Sequence, residues 1–226
     1  MKRLYLVALL ILFASGCVSQ TAEGIRYYGQ AQYDAAMTAF QSVLKTNPND
    51  PNTLYNLAAT YHQSAKVSLL SGQMAAAQQQ YEQAAQYYQR CLSNNANHPE
   101  AYRGLATLHM DFLNPEAAFQ LLLGWSQANP VSVEPKFELA RLYQEYAQIC
   151  MLQGRTEDGQ RCRDTAEQYL QQIVKMEPNN YRAFRAWGYL KEQRGDIAGA
   201  IEEYRLSLLA YPHQKDLESR MAALTQ

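Results

Sequence analysis

The stretch "AKVSLLSGQMAAAQQQ", Ala65 to Gln80, contains unbroken runs of three alanines and three glutamines, the composition of a low-complexity linker. As a linker it would split the chain into two pieces; as structure it would extend one array. The residues on either side decide. Before it, "LYNLAATY" places Leu54, Leu57, Ala58 and Tyr61 at helical spacing, and after it Ala84 and Tyr88 supply a small and an aromatic residue four apart. If Gly72 is the turn of an antiparallel helix hairpin, residues at one level have numbers with a constant sum. Ala58 with Ala84 gives 142, and Ala65 with Ala77 gives the same value. Small therefore faces small at two levels about two turns apart, because a heptad keeps one face inward. The stretch reads as seven added residues on each helix, 65–71 and 73–79, with Ala65, Leu69, Met74, Ala77 and Tyr81 inward and the glutamines solvated.

The same device recurs downstream. Tyr143, Gly154 and Ala166 repeat the spacing of Tyr61, Gly72 and Ala84, and Ala140 lies level with Ala166 as Ala147 does with Gly159. The end of the chain gives a shorter unit, "YRAFRAWGYLKEQRGDIAGAIEEYRLSLLAYPHQ", Tyr181 to Gln214. It resembles the tetratricopeptide repeat: Phe184, Trp187 and Gly188 match the opening, Gly195 the turn, Ala200 and Tyr204 the second helix and Pro212 the exit, while Lys191 departs from the pattern. Gly24, Tyr27, Ala36, Phe40 and Pro48 mark a similar unit at 17–50, and Tyr102, Leu105, Ala106, Ala118, Leu122 and Pro130 one at 99–132. Two helices approach closely only where both carry small residues, so Gly188 should face Ala200 with Trp187 and Tyr204 filling the space around them. One hairpin cannot bury its own apolar face, so such units stack. The resemblance implies an all-α, right-handed solenoid of five helix hairpins, at 17–50, 51–98, 99–132, 133–180 and 181–214. The first, third and fifth are of the family's ordinary length, and the second and fourth are each longer by two heptads. A capping helix at 215–226 follows, with Leu217, Met221 and Leu224 on one stripe.

The beginning of the chain has a different character. Lys2 and Arg3 precede ten apolar residues, Leu4 to Phe13, and then Ala14, Ser15 and Gly16, the layout of a signal peptide at 1–16. Ten residues are half of the roughly 20 that a spanning helix needs. The segment ends in "ASGC", which resembles the bacterial lipobox and implies that Cys17 is lipidated and begins the mature protein at 17–226. Val18 and Ser19 follow without an aspartate, which resembles lipoproteins sent to the outer membrane. The expectation is a lipid-anchored protein of the bacterial cell envelope, on the outer membrane and facing the periplasm. The layout is similar to that of pilus-biogenesis (PilF/PilW-like) and NlpI-like lipoproteins.

Charge and residue usage narrow the function. The formal charge of -1 falls to -3 without Lys2 and Arg3, so no basic field exists to attract nucleic acid. Cys150 lies roughly 9 Å along the hairpin axis from Cys162, beyond the 4.4–6.8 Å of bridged Cα atoms, so this pair is expected to be unbridged, and Cys91 to fill a small buried site. His62, His98, His109 and His213 have no metal-ligand spacing, and no phosphate loop or nucleophile motif occurs. No catalytic residue, metal or cofactor is assigned. The family's concave groove is lined by first helices, which here present Asn52, Tyr55, Ala59, His62, Arg103, Thr107 and Met110, then Phe137, Arg141, Gln144, Arg182, Arg185 and Tyr189. A peptide or helix of a protein partner is the expected occupant, and the family's lysine and asparagine clamp for a chaperone's C-terminus is absent, with Thr21 and Ile25 at its first positions. A second candidate is a notch between the two lengthened hairpins, with walls at 73–81 and 146–153 and the apolar pair Phe112 and Leu113 of "MDFLNPE" at its floor. Two functions fit: an anchored scaffold for assembly of an envelope complex of pilus, secretin or other outer-membrane type, or an accessory subunit of a cell-wall enzyme or adaptor of an envelope protease.

Overall fold

The structure, a computed structural model, describes residues 20–225; the signal segment at 1–16 and Cys17 lie outside the described residues. Every regular element among the described residues is a helix. They are α1 at 20–29, α2 (Tyr33–Thr46), α3 (Pro51–Leu70), α4 (Met74–Asn94), α5 (Pro99–Asp111), α6 (Pro115–Ala128), α7 (Glu134–Leu152), α8 (Thr156–Met176), α9 (Tyr181–Gln193), α10 (Ile197–Ala210) and α11 (Lys215–Leu224). None is long and apolar enough to cross a membrane. The fold is an all-α tetratricopeptide-repeat solenoid.

Helix lengths fall into two classes. α3, α4, α7 and α8 have 20, 21, 19 and 21 residues, against 13 or 14 in α2, α5, α6, α9 and α10. Ala65 to Gln80 thus forms the end of α3, a tight turn and the start of α4. Left-handed backbone marks each such turn, at Ala31, Gly72, Leu113, Gly154 and Gly195, which are evenly spaced along the chain. The amides that follow close the turn by bonding five residues back, as Gln73 N donates to Ser68 O at 2.8 Å and Arg155 N to Cys150 O at 2.8 Å. The helices α4, α5 and α6 recur as α8, α9 and α10, with both ends of each displaced by two of these turn-to-turn intervals. Residues separated by two intervals therefore occupy equivalent positions.

The chain divides into two compact units, one ending at Ala118 and one beginning at Phe119. In the first, Asp50 caps α3 by accepting from Thr53 N at 2.8 Å, with Pro51 at the first helical position. Ala58, Ala65, Ala77 and Ala84 are buried along the α3–α4 seam. Ser68 donates to Gln80 Oε1 and Gln80 Nε2 to Ser64, so the glutamine side of the seam is hydrogen-bonded across it as well as wetted. Met74 corrects the inward assignment: as the first residue of α4 it is 63% exposed, since the seam begins only at Ala77.

In the second unit, Ala140, Ala166, Leu170, Ile173, Ala183 and Leu190 form the core of α7, α8 and α9. A Cβ on Gly159 would stand 3.1 Å from Ala147 O, which sets the α7–α8 register at that level. A Cβ on Gly188 would lie 2.5 Å from Tyr204 and 3.1 Å from Ala200 O, so the absence of a side chain there admits the tyrosine ring. α11 lays Leu217, Met221 and Leu224 against Ala200 and Tyr204. Burying Leu217 alone contributes about 2 kcal/mol. Cys91, Cys150 and Cys162 are free thiols. Cys91 is buried, donates to Pro51 O at 3.2 Å, and has its pKa pushed up to about 11, chiefly by burial.

Candidate partner-binding cleft

In the first unit the groove candidates occupy different surroundings. Asn52 and Tyr55 line a shallow polar recess of about 500 Å³ with Asn95, Asn97 and His98, where the rings of Tyr55 and His98 lie 5.2 Å apart. Ala59, Arg103, Thr107 and Met110 are half-buried on α3 and α5. His62 departs from the expectation of a groove residue, being only 4% exposed. Its Nε2 lies 2.8 Å from Asp111 Oδ2, because the last residue of α5 reaches back to α3, and Lys66 Nζ meets the same oxygen at 3.0 Å. Burial alone would raise the Asp111 pKa, but hydrogen bonds from His62 and Lys66, and their charges, hold it below the ordinary carboxylate value. His109 is engaged elsewhere, with Nδ1 2.8 Å from the Tyr81 hydroxyl, and burial lowers its pKa. Among the described residues no group of three or more potential ligands could hold a metal ion.

The residues assigned to a notch belong to both units: 73–81, Phe112 and Leu113 to the first, 146–153 to the second. Within the first, Phe112 packs its ring 4.3 Å from that of Tyr81. Leu113 does not share that contact surface; it is 90% exposed, with φ of 57°.

The second unit brings its six candidates together. Phe137, Arg141 and Gln144 of α7 and Arg182, Arg185 and Tyr189 of α9 line one cleft of about 650 Å³. Spacings of three, four and seven residues put each set on one helix face. Leu170 and Tyr204 also line it, and α11 contributes Asp216, Leu217 and Arg220. Each guanidinium is held by a carboxylate. Arg182 bonds Glu134 through both terminal nitrogens, at 2.7 and 3.3 Å, and lies 4.4 Å over the Phe137 ring. Arg220 grips Glu192 at 2.7 and 2.8 Å and lies 5.1 Å over Tyr189, and its hydrogen bond keeps the Glu192 pKa low against the effect of burial. Arg185 pairs with Asp216. Arg141 donates from Nε to the fully buried Glu138 at 2.9 Å and from Nη1 to Glu145. Its remaining nitrogen, Nη2, and the Gln144 amide nitrogen are buried and have no hydrogen-bond partner among the described residues.

The geometry adds to what the residues alone suggest. Glu134, Glu138, Glu145 and Glu192 stand outside the lining, so the ion pairs of Arg182, Arg141 and Arg220 turn their positive ends inward; Asp216 is the one acid among the lining residues. The cap helix as a wall and Asp111 as the seal over His62 escaped the sequence reading. Asp216, Leu217 and Arg220 share one helix face, which is a signal; the meeting of Asp111 with a residue 49 positions earlier has none.

The match to protein-family models falls in three segments, a TPR repeat at 24–64 and tetratricopeptide repeats at 75–135 and 151–215. No match to a curated protein was found. Among solved structures, a thermophilic TPR protein of Thermus thermophilus is similar over 92% of this chain and 98% of its own, with a TM-score of 0.58 and 23% identity. PilF of Pseudomonas aeruginosa is similar over 94% and 86%, with a TM-score of 0.52 and 14% identity. Both likenesses concern the fold. Together the three segments span more than half of the chain, and with the paired helices and their small-residue seams they establish that it belongs to the tetratricopeptide-repeat family.

Proposed function

We propose that the protein is a lipid-anchored scaffold of the bacterial envelope that holds a segment of a partner protein in the α7–α9–α11 cleft and so assists assembly of an envelope complex. A tetratricopeptide-repeat fold is a protein–protein interaction scaffold, generally without catalysis of its own, and no catalytic step is assigned to this chain. The observation that carries the reading is the cleft, in which aromatic faces and four guanidinium groups line one space. Such mixtures of apolar wall and few fixed polar groups are how binding sites achieve orientation as well as affinity. The envelope location rests on the sequence, on the apolar run before "ASGC" and on Cys17 as the lipid acceptor. The layout of leader, lipid site and repeats favours a pilus- or secretin-type machine as the complex served.

A photo-crosslinking amino acid at Tyr189 in the cleft, compared with one at Gln86 on the solvated side of α4, tests the reading in cells. One dominant protein adduct at 189 and none at 86 is expected. Equal patterns at the two positions would remove the cleft from the function. Membrane retention of a Cys17→Ser protein after a salt wash would remove the lipid anchor, which stable attachment by acyl chains otherwise explains.

A further inference from the structure

We infer that the polar recess of the first unit is a second binding site, independent of the α7–α9–α11 cleft, and that it takes an uncharged pyranose saccharide.

The ligand class follows from what the lining offers and what it lacks. Asn52 and Asn56 of α3 and Asn95 and Asn97 of the α4–α5 loop bring four amides to a space of about 500 Å³, beside the half-buried ring of Tyr55. An amide donates through its nitrogen and accepts through its oxygen. Neighbouring hydroxyls of a sugar also do both, while the C–H face of the same sugar ring is apolar and suits an aromatic side chain. His98 and Glu100 complete the lining. Among the described residues that form it there is no lysine or arginine, so a phosphate, sulfate or carboxylate meets no counter-charge. There is no aliphatic side chain either, so an apolar anchor of a peptide meets no pocket.

The amides are accessible and uncommitted. Asn52 and Asn97 are exposed, and Asn56 and Asn95 are half-buried. The side chains of Asn52, Asn56 and Asn97 have no hydrogen-bond partner among the described residues. The loop that carries two of the four amides is nonetheless held. Asn95 N donates to Cys91 O at 2.8 Å, Asn97 N donates to Asn95 Oδ1 at 3.0 Å, and Ala101 N donates to His98 Nδ1 at 3.3 Å, which caps α5. Groups fixed before a ligand arrives lose little freedom on binding it.

The second unit contains a closed version of the same place. Two turn-to-turn intervals on, Glu134 stands for Asn52, Phe137 for Tyr55 and Arg182 for Glu100. There Arg182 bonds Glu134 at 2.7 and 3.3 Å and lies 4.4 Å over the Phe137 ring, so an ion pair occupies the space over the aromatic face. In the first unit the two places carry an uncharged amide and a carboxylate, which cannot pair in that way, and the recess is open.

Saturation-transfer NMR on the purified protein tests this, with maltotetraose, cellotetraose and chitotetraose as probes and a pool of neutral, amidated tetrapeptides as the comparison. At least one tetrasaccharide should give a saturable signal on its ring protons, with a dissociation constant on the order of 1 mM, as a few hydrogen bonds in an open recess allow. The double variant Asn52→Glu with Glu100→Arg transplants the ion pair of the second unit, and it should weaken that binding about tenfold without lowering the melting temperature. Asn97→Ala removes one amide from an exposed loop and should weaken it several-fold, which keeps the test decisive if the double variant does not fold. Three results overturn the inference: no saturable signal from any of the three sugars, an affinity unchanged in every variant that folds, or equal binding of the peptide pool that the same variants abolish.

Discussion

The first helices of the two lengthened hairpins, α3 and α7, share nearly the same length and the same small-on-small seam, yet one face is sealed and the other open. On α3 the polar side chain that would look outward, His62, is covered by the chain's own carboxylate. On α7 the equivalent Gln144, with Arg141 beside it, opens onto a cleft of about 650 Å³. At equivalent places Asp111 stands against Gln193 and Ala59 against Arg141. The scaffold sets where a site can form, and single side chains on it decide whether a site does form.

The largest effect expected from disturbing this contrast is at Arg141. Arg141→Leu removes the guanidinium that pairs with the fully buried carboxylate of Glu138, and breaking a buried pair on one side costs about 3 kcal/mol. For a chain of this size that lowers the melting temperature by roughly 6 to 12 °C. The double variant with Glu138→Leu should recover most of the loss. If the single variant melts like the parent protein, the guanidinium is not held as described.

Next in size is the seal of the first unit. Asp111→Ala leaves buried His62 without its acceptor and should cost about 2 kcal/mol. The pH dependence has a definite sign. Asp111 has a folded pKa below the ordinary 3.8, so its contribution is present above that value and is lost as pH falls through the folded value. His109 has a folded pKa below 6.5, so the unfolded chain takes up its proton first and stability declines as pH falls below 6.5. Melting temperature should therefore drop on acidification in two stages, and Asp111→Ala should shrink the lower one, to which Glu192, also held low, contributes as well.

The array was legible in the sequence because close helix contacts leave a mark in residue type. Ala65 with Ala77 and Ala147 with Gly159 are small for a steric reason, and that reason survives translation into spacing. The groove was legible in part, since Phe137, Arg141, Gln144, Arg182, Arg185 and Tyr189 follow from the groove that the family resemblance implies, placed on the helices by their periodicity. The fate of His62 was not, because exposure of a polar side chain depends on which neighbour arrives from another helix, and Asp111 carries no local signature of that. Met74 was misplaced for a related reason: periodicity assigns a face but not the level at which a seam begins.

A smaller effect tests the seam shared by both hairpins. Ala77→Leu forces a larger side chain into the α3–α4 contact, where Ala77 is buried, and should cost about 1.5 kcal/mol. Gln79→Leu, two residues on and exposed, should change the melting temperature by under about 1 °C. Equal shifts in the two variants would mean that Ala77 does not face α3.

The smallest expected effect lies at the turns, where the two regions differ by one residue type. Leu113 and Gly195 occupy equivalent positions, and both have left-handed backbone, with φ of 57° and 82°. A leucine there carries a steric cost between Cβ and the following carbonyl, while its side chain, 90% exposed, recovers almost nothing by burial. Leu113→Gly removes that strain but adds freedom to the unfolded chain, so the net gain should be about 0.5 kcal/mol. Gly195→Leu brings the strain into a turn that lacks it and should cost about 1 kcal/mol, a fall of roughly 2 to 4 °C. Asn114, which accepts from Ala117 N at 3.2 Å as the cap of α6, is untouched by the first change, so its effect reports on the turn alone. A loss of stability in Leu113→Gly as large as that in Gly195→Leu would show that the leucine side chain makes a contact the exposed turn does not reveal.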